Sequence, residues 1–308
     1  MSTVAATFPR MHSGPRIPHL PHRARAGLWP LLATIAVTMA VALGPVGPST
    51  VQAAKRTATV SAAGTTWLLT RAALTDVAQS SAALATLAQG RVVELVPPSS
   101  RPLLPPGLSI TPAFTVDSVT ALQSMISTDT VPSWARAVLF DDEAWSLTPL
   151  NEQLYPVQAA QAAATLARAA GLSLWCAPGL DLVSELDPSA PSYWQGYLAL
   201  NLAGNIGSVC GGLDLQAQSL ERNSKTYQTF VAEAAAQATA THPGVALTAG
   251  LSTNPPGPAV SLKDLEAAVA GTISITRGFW LNIPNPGPWC PNCAPADPAL
   301  AVELLTWL

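Results

Sequence analysis

The chain has 308 residues, of which 49% are hydrophobic and only 11% charged, and its formal net charge is −3. Four of its 15 basic residues but none of its 18 acidic residues lie before position 55, so the remainder carries 11 bases against 18 acids. A surface of that charge repels nucleic acid and anionic lipid, which argues against both as partners. Only one histidine, His242, follows position 54, which excludes a multi-histidine zinc site.

Residues 1–54 have the pattern of a secretory signal peptide and leader. Four arginines precede an apolar run from Leu28 to Gly44, and small residues lead up to a predicted cleavage site near Ala53. An uncleaved membrane anchor is the alternative, although a run of about 17 apolar residues is short for a membrane span. We expect secretion to the extracellular space, and a single domain over residues 55–308.

Beyond the leader, apolar runs alternate with alanine-rich helical patterns. The predicted strands are Thr66–Thr70, Arg91–Val96, Leu108–Phe114, Arg136–Phe140, Leu172–Ala177, Gly212–Gln216, Val245–Gly250 and Ile273–Leu281. The predicted helices are Leu74–Gln89, Asp117–Ser127, Pro149–Ala170, Tyr193–Ala203, Lys225–Thr241, Leu262–Ala270 and Pro298–Leu308. Ser261 and Asp297 are predicted N-caps, and Gly90, Gly171 and Gly271 are predicted to follow helix ends.

Strands that alternate with helices predict an α/β fold built on a mostly parallel sheet. Seven or eight such units in about 250 residues favour a closed (β/α)8 barrel of the TIM type. The region 91–115 is too short for a strand and a full helix and is rich in proline, so we expect the barrel to be irregular or incomplete there. The chain has neither a G-x-G-x-x-G nor a Walker pattern for phosphate binding.

All four cysteines follow the leader: Cys176, Cys210, Cys290 and Cys293. An even number in an exported protein favours two disulfides, and we expect the pairs Cys176–Cys210 and Cys290–Cys293. The C-x-x-C spacing of the second pair is also that of a thioredoxin-like redox motif. We favour a disulfide that fixes a loop.

Acidic side chains follow or end two of the predicted strands. Asp141, Asp142 and Glu143 come directly after Phe140, and Asp214 lies in the strand that begins at Gly212. Because side chains alternate along a strand, Asp141 and Glu143 are predicted to share one face and Asp142 to take the other. Since the carboxyl ends of barrel strands meet at one mouth, we expect one acidic pocket there.

The predicted catalytic residues are Glu143, Asp141 and Asp214. Glu143 would be the general acid, and Asp141 or Asp214 the nucleophile or base, because carboxylate pairs perform these roles in glycoside hydrolysis. The predicted substrate-binding residues are Asp142, Gln216, Gln218, Trp145, Trp175, Trp280, Asn282 and Asn254. Indole rings stack on sugars and carboxamides bind hydroxyls. The alternative is structural, with acids stabilising the next helix N-terminus and tryptophans packing in the core.

Two segments resemble those of secreted (β/α)8-barrel glycoside hydrolases and hydrolase-like proteins. They are FDDEAW at residues 140–145 and GLDLQAQ at residues 212–218. The resemblance loosely covers residues 65–308 and implies a secreted barrel that acts on a carbohydrate. The chitinase-type motif D-x-x-D-x-D-x-E is absent, because residues 211–218 keep only one acid, Asp214.

Two other functions fit the same residues. One is a non-catalytic exported barrel that binds a glycan or a cell-wall component. The other is a metal-assisted lyase or hydrolase in which Asp141, Asp142 and Asp214 hold Mg²⁺ or Ca²⁺. The preferred prediction needs no metal or other cofactor. It is a monomer that binds carbohydrate, with no affinity for nucleic acid and no membrane insertion once the leader is cleaved.

Overall fold

The computed structural model describes residues 60–287 and 294–308. In this part of the chain, eight parallel strands form a closed barrel in which each strand pairs with the next and the last pairs with the first. The strands are β1 (Thr66–Thr70), β2 (Arg91–Leu95), β3 (Ile110–Val116), β4 (Ala137–Phe140), β5 (Ser173–Cys176), β6 (Gly212–Leu215), β7 (Ala246–Ser252) and β8 (Gly278–Asn282). The predicted fold class, a (β/α)8 TIM barrel, is confirmed.

Among the described residues, helices occur in six of the seven connections between successive strands, and one more helix follows the last strand. They are α1 (Arg71–Val77), α2 (Ser81–Leu87), α3 (Val119–Ser127), α4 (Leu150–Leu154), α5 (Pro156–Ala169), α6 (Val183–Leu186), α7 (Tyr193–Ala199), α8 (Leu202–Gly207), α9 (Ser224–Thr241), α10 (Leu262–Thr276) and α11 (Pro298–Trp307). Both predicted N-caps are confirmed, since Ser261 forms a capping box with Asp264 and Asp297 accepts from the backbone N–H of Leu300.

The predicted strand Ile273–Leu281 is wrong in its first part. Its β-branched run lies in the last turns of α10, and Thr272 donates its hydroxyl to the carbonyl of Ala268 inside the buried face of that helix. The helix ends at Arg277, which has a φ of 57°, and β8 begins one residue later. Packing of α10 against the barrel therefore overrides the strand preference of isoleucine and threonine.

Of the three predicted helix-end glycines, only Gly171 has that role, with a φ of 70° just after α5. Gly271 lies inside α10, where a Cβ would come within 2.3 Å of the Gln228 side chain on α9. Gly90 precedes β2, and a Cβ there would lie 1.9 Å from the backbone oxygen of Thr65. Gly90 needs glycine because the backbone of Thr65 approaches closely, whereas at Gly271 the close atoms belong to the flexible Gln228 side chain.

The connection from β2 to β3 contains no helix in the structure, yet the two strands pair in register from Val92 and Ile110 onward. The barrel is thus complete in its strands and irregular only in this link. Glu94 fixes the link, because its fully buried carboxylate accepts from the backbone N–H of Leu103 at 3.0 and 3.1 Å. Arg71 forms an ion pair with the same carboxylate at 3.7 Å.

Side chains alternate between two apolar layers, one inside the barrel and one between the sheet and the helices. Residues of the inner layer include Leu68, Val93, Leu139, Trp175 and Trp280. The outer layer is larger and contains alanine-rich faces of α5 and α9. This alternation decides which strand-end residues can reach the mouth of the barrel.

The predicted disulfide Cys176–Cys210 is confirmed, with a Cα–Cα distance of 6.1 Å. It joins β5 to the segment that precedes β6. Cys290 and Cys293 lie outside the described residues, as does the leader, so the second disulfide and the signal peptide stay predictions. No described helix combines the length and the apolar character that crossing a bilayer requires.

Candidate functional site

A cavity of about 800 Å³ opens where the strands end. Its walls come from the segments that follow β4, β5 and β6 and from the ends of β7 and β8. This is the face of a (β/α)8 barrel on which binding and catalytic residues lie. The volume is in the range of pockets that hold small organic ligands.

Three carboxyl groups line this cavity: Asp141, Glu143 and Asp181. The first two follow β4 on the face predicted for them, and Asp181 lies in the short turn after β5. The backbone N–H of Ala144 donates to Asp181 at 3.2 Å, which ties the two segments together. Gly179 permits this arrangement, because a Cβ there would lie 2.4 Å from Asp181 Oδ1 and 2.9 Å from Glu143 Cγ.

Burial and mutual repulsion make these carboxyl groups weak acids. Burial, and then the charge on Glu143, raise the pKa of Asp141 well above its usual range. Burial and the nearby Asp181 raise the pKa of Glu143 to about 7. Burial also raises the pKa of Asp181, against the hydrogen bond from Ala144. The site therefore retains at least one proton near neutral pH, as acid–base chemistry requires.

Two glutamines follow β6 and line the cavity, and the first of them contacts the acidic group. Gln216 donates through Nε2 to Asp141 Oδ1 at 2.9 Å and to the carbonyl of Ala177 at 2.8 Å. Gln218 also lines the cavity, and its carboxamide occupies the space above Gly250, where a Cβ would lie 2.1 Å from Oε1. The glutamine pair thus positions one carboxylate and presents a second carboxamide to the cavity.

Seven of the predicted site residues line the cavity together: Asp141, Glu143, Gln216, Gln218, Trp145, Trp280 and Asn282. Trp145 is held by a hydrogen bond of 2.9 Å from its Nε1 to Thr148 Oγ1. The cavity also contains Asp181, whose position after β5 places it at the same end of the barrel, and two residues that the sequence does not predict there, Tyr193 and Trp194. Tyr193 and Trp194 begin α7, and no sequence signal indicates which way that helix turns.

Asp214 and Trp175 lie below the cavity and do not line it. Asp214 is fully buried inside the barrel, where Thr248 donates to its Oδ1 at 2.7 Å, and burial raises the pKa of Asp214 to about 7. The Trp175 indole fills the barrel interior over Gly212, where a Cβ would come within 2.3 Å of the ring. Strand alternation directs both side chains into the barrel. They lie beneath the residues that line the cavity, so a ligand in the cavity does not reach them.

Asp142 and Asn254 also lie away from the cavity. Asp142 takes the opposite face of its strand end and is buried among apolar residues beside the disulfide. Burial, followed by the charge of Glu152, raises the pKa of Asp142 to about 8. Asn254 donates its amide to carbonyls of Pro284, Ala294 and Pro295, and so joins two loops.

The predicted metal-binding trio is not assembled, because Asp142 points away from Asp141 and Asp214. Within residues 60–287 and 294–308, no group of three histidine, cysteine or acidic side chains has the arrangement of a metal site.

The fold and the site together define a TIM-barrel protein with an acidic, aromatic cavity at its strand ends. No family model and no curated protein matches the chain. Among solved structures, triosephosphate isomerase from Bartonella henselae has 12% identity and a TM-score of 0.42, over 79% of this chain and 97% of that one. A curdlan-specific exo-β-1,3-glucanase of GH128 subgroup III from Blastomyces gilchristii has 13% identity and a TM-score of 0.40, over 77% and 96%. These similarities concern the barrel fold alone.

Proposed function

We propose that the protein is an exported glycoside hydrolase. The observation that supports this most is the convergence of Asp141 and Glu143 on one cavity whose walls also carry indole rings and carboxamides. Paired carboxyl groups supply the acid and the base or nucleophile of glycoside hydrolysis, and indoles and amides suit a hydroxylated ring.

In this proposal Glu143 is the general acid and Asp141 the nucleophile or base. Burial raises the pKa of Asp141, and the 2.9 Å hydrogen bond from the amide of Gln216 opposes this effect because it stabilises the ionised carboxylate that a nucleophile or base requires. The charge of Asp181 favours the protonated form of Glu143, whose pKa of about 7 suits proton donation in a neutral or mildly acidic medium. The sequence also suggested Asp214 for catalysis, but this residue is enclosed in the barrel beneath the cavity. Its proposed role is therefore structural, through its hydrogen bond with Thr248.

The experiment that tests this proposal measures both turnover and binding. Purified protein would be incubated with a panel of neutral, acidic and amino polysaccharides, and new reducing ends and binding heats would be recorded. We expect reducing ends to appear with at least one of them. Binding without cleavage across the panel would instead support the non-catalytic glycan-binding barrel.

Export is part of the same proposal. The disulfide Cys176–Cys210 supports it, because stable disulfides form mainly outside the reducing cytosol. Expression of the full chain in a secreting host, followed by amino-terminal sequencing of the released protein, is expected to show cleavage near Ala53. Retention of the intact amino terminus in the membrane fraction would favour the anchor.

A further inference from the structure

The cavity carries one more carboxyl group than the proposed hydrolysis needs. Asp141 and Glu143 account for the chemistry, which leaves Asp181 as a third lining carboxyl group. Asp117, directly after β3, is close enough for its charge to raise the pKa of both Asp141 and Glu143. None of the described residues that line the cavity is lysine, arginine or histidine. The site therefore favours a ligand that brings positive charge and disfavours a phosphate or a uronic acid.

Arginine at the rim does not change this balance. Arg222 directs its guanidinium to the carbonyl oxygens of Pro256 and Pro258, and so fixes the loop after β7. Its charge acts on Glu221, whose pKa it lowers in part against the larger effect of burial. Among the described residues, the one ion pair is that of Arg71 with Glu94, so no cation pairs with Asp181 there.

Two polar groups on the cavity wall indicate the rest of the ligand. Trp280 is 7% exposed and lines the cavity, and its indole Nε1 has no hydrogen-bond partner among the described residues. That N–H is buried just behind the cavity wall, so it can donate to a hydroxyl or ether oxygen once the ring shifts to meet a ligand. Gln218 Oε1 is likewise buried without a partner and can accept from an O–H or N–H group. A donor and an acceptor beside aromatic rings suit a sugar.

We propose that the substrate is a saccharide with a free, protonated amino group, and that Asp181 binds the ammonium. This inference rests on the proposed function and specifies its substrate class. Asp181 is held in place by the N–H of Ala144 and lies beside Glu143 through their shared contact with Gly179. An ammonium there pairs with the Asp181 carboxylate and favours its ionised form against the effect of burial, while the ring that carries the amine lies beside Trp280.

The test compares sugars that differ only in one substituent. Oligosaccharides with the same backbone would carry a free amine, an N-acetyl group or a hydroxyl at carbon 2, in both the gluco and galacto series. Binding to the full protein would be measured by calorimetry close to neutral pH and at low salt. Acidification would protonate the carboxyl groups, whose pKa burial raises, and low salt keeps screening weak. We expect the free amine to bind at least about tenfold more tightly than its neutral counterparts.

Variants separate the role of Asp181 from a general charge effect. Asp181→Asn can still accept from Ala144, and we expect it to lose most of the preference for the amine while its affinity for the neutral sugars stays within about twofold. Asp76→Asn on α1 removes the same charge from an exposed position and is expected to leave the preference unchanged. An unchanged preference in Asp181→Asn would overturn the assignment.

The outcomes distinguish this inference from the function on which it rests. Equal binding and cleavage of all three sugars would refute the amino-sugar inference and leave the hydrolase proposal standing. Tight binding of the amine without any cleavage would support the amino-sugar inference and refute the hydrolase proposal. No binding to any of the sugars would refute both. Displacement of the amine by Ca²⁺ or Mg²⁺ at equal ionic strength would assign the carboxylates to a metal and overturn the inference.

Discussion

Replacement of Asp142 by asparagine is expected to stabilise the protein strongly at pH 8 and to leave its stability almost unchanged at pH 4. Neither carboxylate oxygen of Asp142 has a hydrogen-bond partner among the described residues, and burial raises its pKa to about 8 from an ordinary value of 3.8. Folding therefore favours the protonated carboxyl group, which asparagine imitates in shape and charge.

The raised pKa of Asp142 determines how the free energy of unfolding changes with pH. Below about pH 4 the carboxyl group is protonated in both the folded and the unfolded chain, so it contributes no penalty. As the pH rises towards 8, Asp142 ionises in the unfolded chain but stays protonated in the folded chain. The free energy of unfolding therefore falls. At about 1.4 kcal/mol per pH unit, the penalty at pH 7 is on the order of 4 kcal/mol.

Urea denaturation at several pH values measures this effect. The free energy of unfolding of Asp142→Asn should exceed that of the wild-type protein by a margin that grows from pH 4 to pH 8. Asp76→Asn, at an exposed position, is the matched control and should follow the wild-type curve. Parallel curves for Asp142→Asn and the wild-type protein would show that Asp142 is not buried in its protonated form.

Glu143→Gln is expected to reduce turnover by about a hundredfold or more, with little change in thermal stability. Glutamine preserves the size of the side chain and the contact with Gly179, but it has no proton to give to the leaving group. In the wild-type protein, activity should fall as the pH rises through about 7, because the general acid then loses its proton.

The measurement is kcat/KM as a function of pH on the best substrate of the panel. The alkaline limb should disappear from the residual activity of Glu143→Gln, since the group that titrates is gone. The matched variant Asp141→Asn should also lose turnover but keep that limb. Full activity in Glu143→Gln would show that Glu143 is not the general acid. Asp181, the third carboxyl group in the cavity, would then be the candidate for that role.

The sequence predicts the barrel well because its strands are short apolar runs buried on both faces. It also predicts that Asp141 and Glu143 face the opposite way from Asp142, since alternation is a property of the strand itself. The sequence does not predict how deep in the barrel an inward side chain lies. Whether an inward side chain such as Asp214 reaches the cavity depends on how the barrel interior fills, which a single strand does not reveal.

Loop residues are the least predictable part of the site. Asn254 follows a strand as a ligand-binding residue would, but its amide is used by carbonyls of a distant segment. Asp181 reads as a loop residue after Pro178 and Gly179, and it lines the cavity only because that turn folds back over β4. In both cases the partner lies about 30 to 40 positions away, so local pattern carries no information about it.

The pairing of β8 with β1 has a consequence for the behaviour of the unfolding chain. The ring of described strands is closed and exposes no strand edge, so this barrel offers no template for intermolecular strand addition. The closing contact also joins segments from opposite ends of the domain, and the bond from Thr86 Oγ1 to the carbonyl of Leu305 reinforces it at 2.7 Å. If β8 (residues 278–282) detaches, β1 and β7 each expose an unpaired strand edge. We expect self-association to begin at these edges.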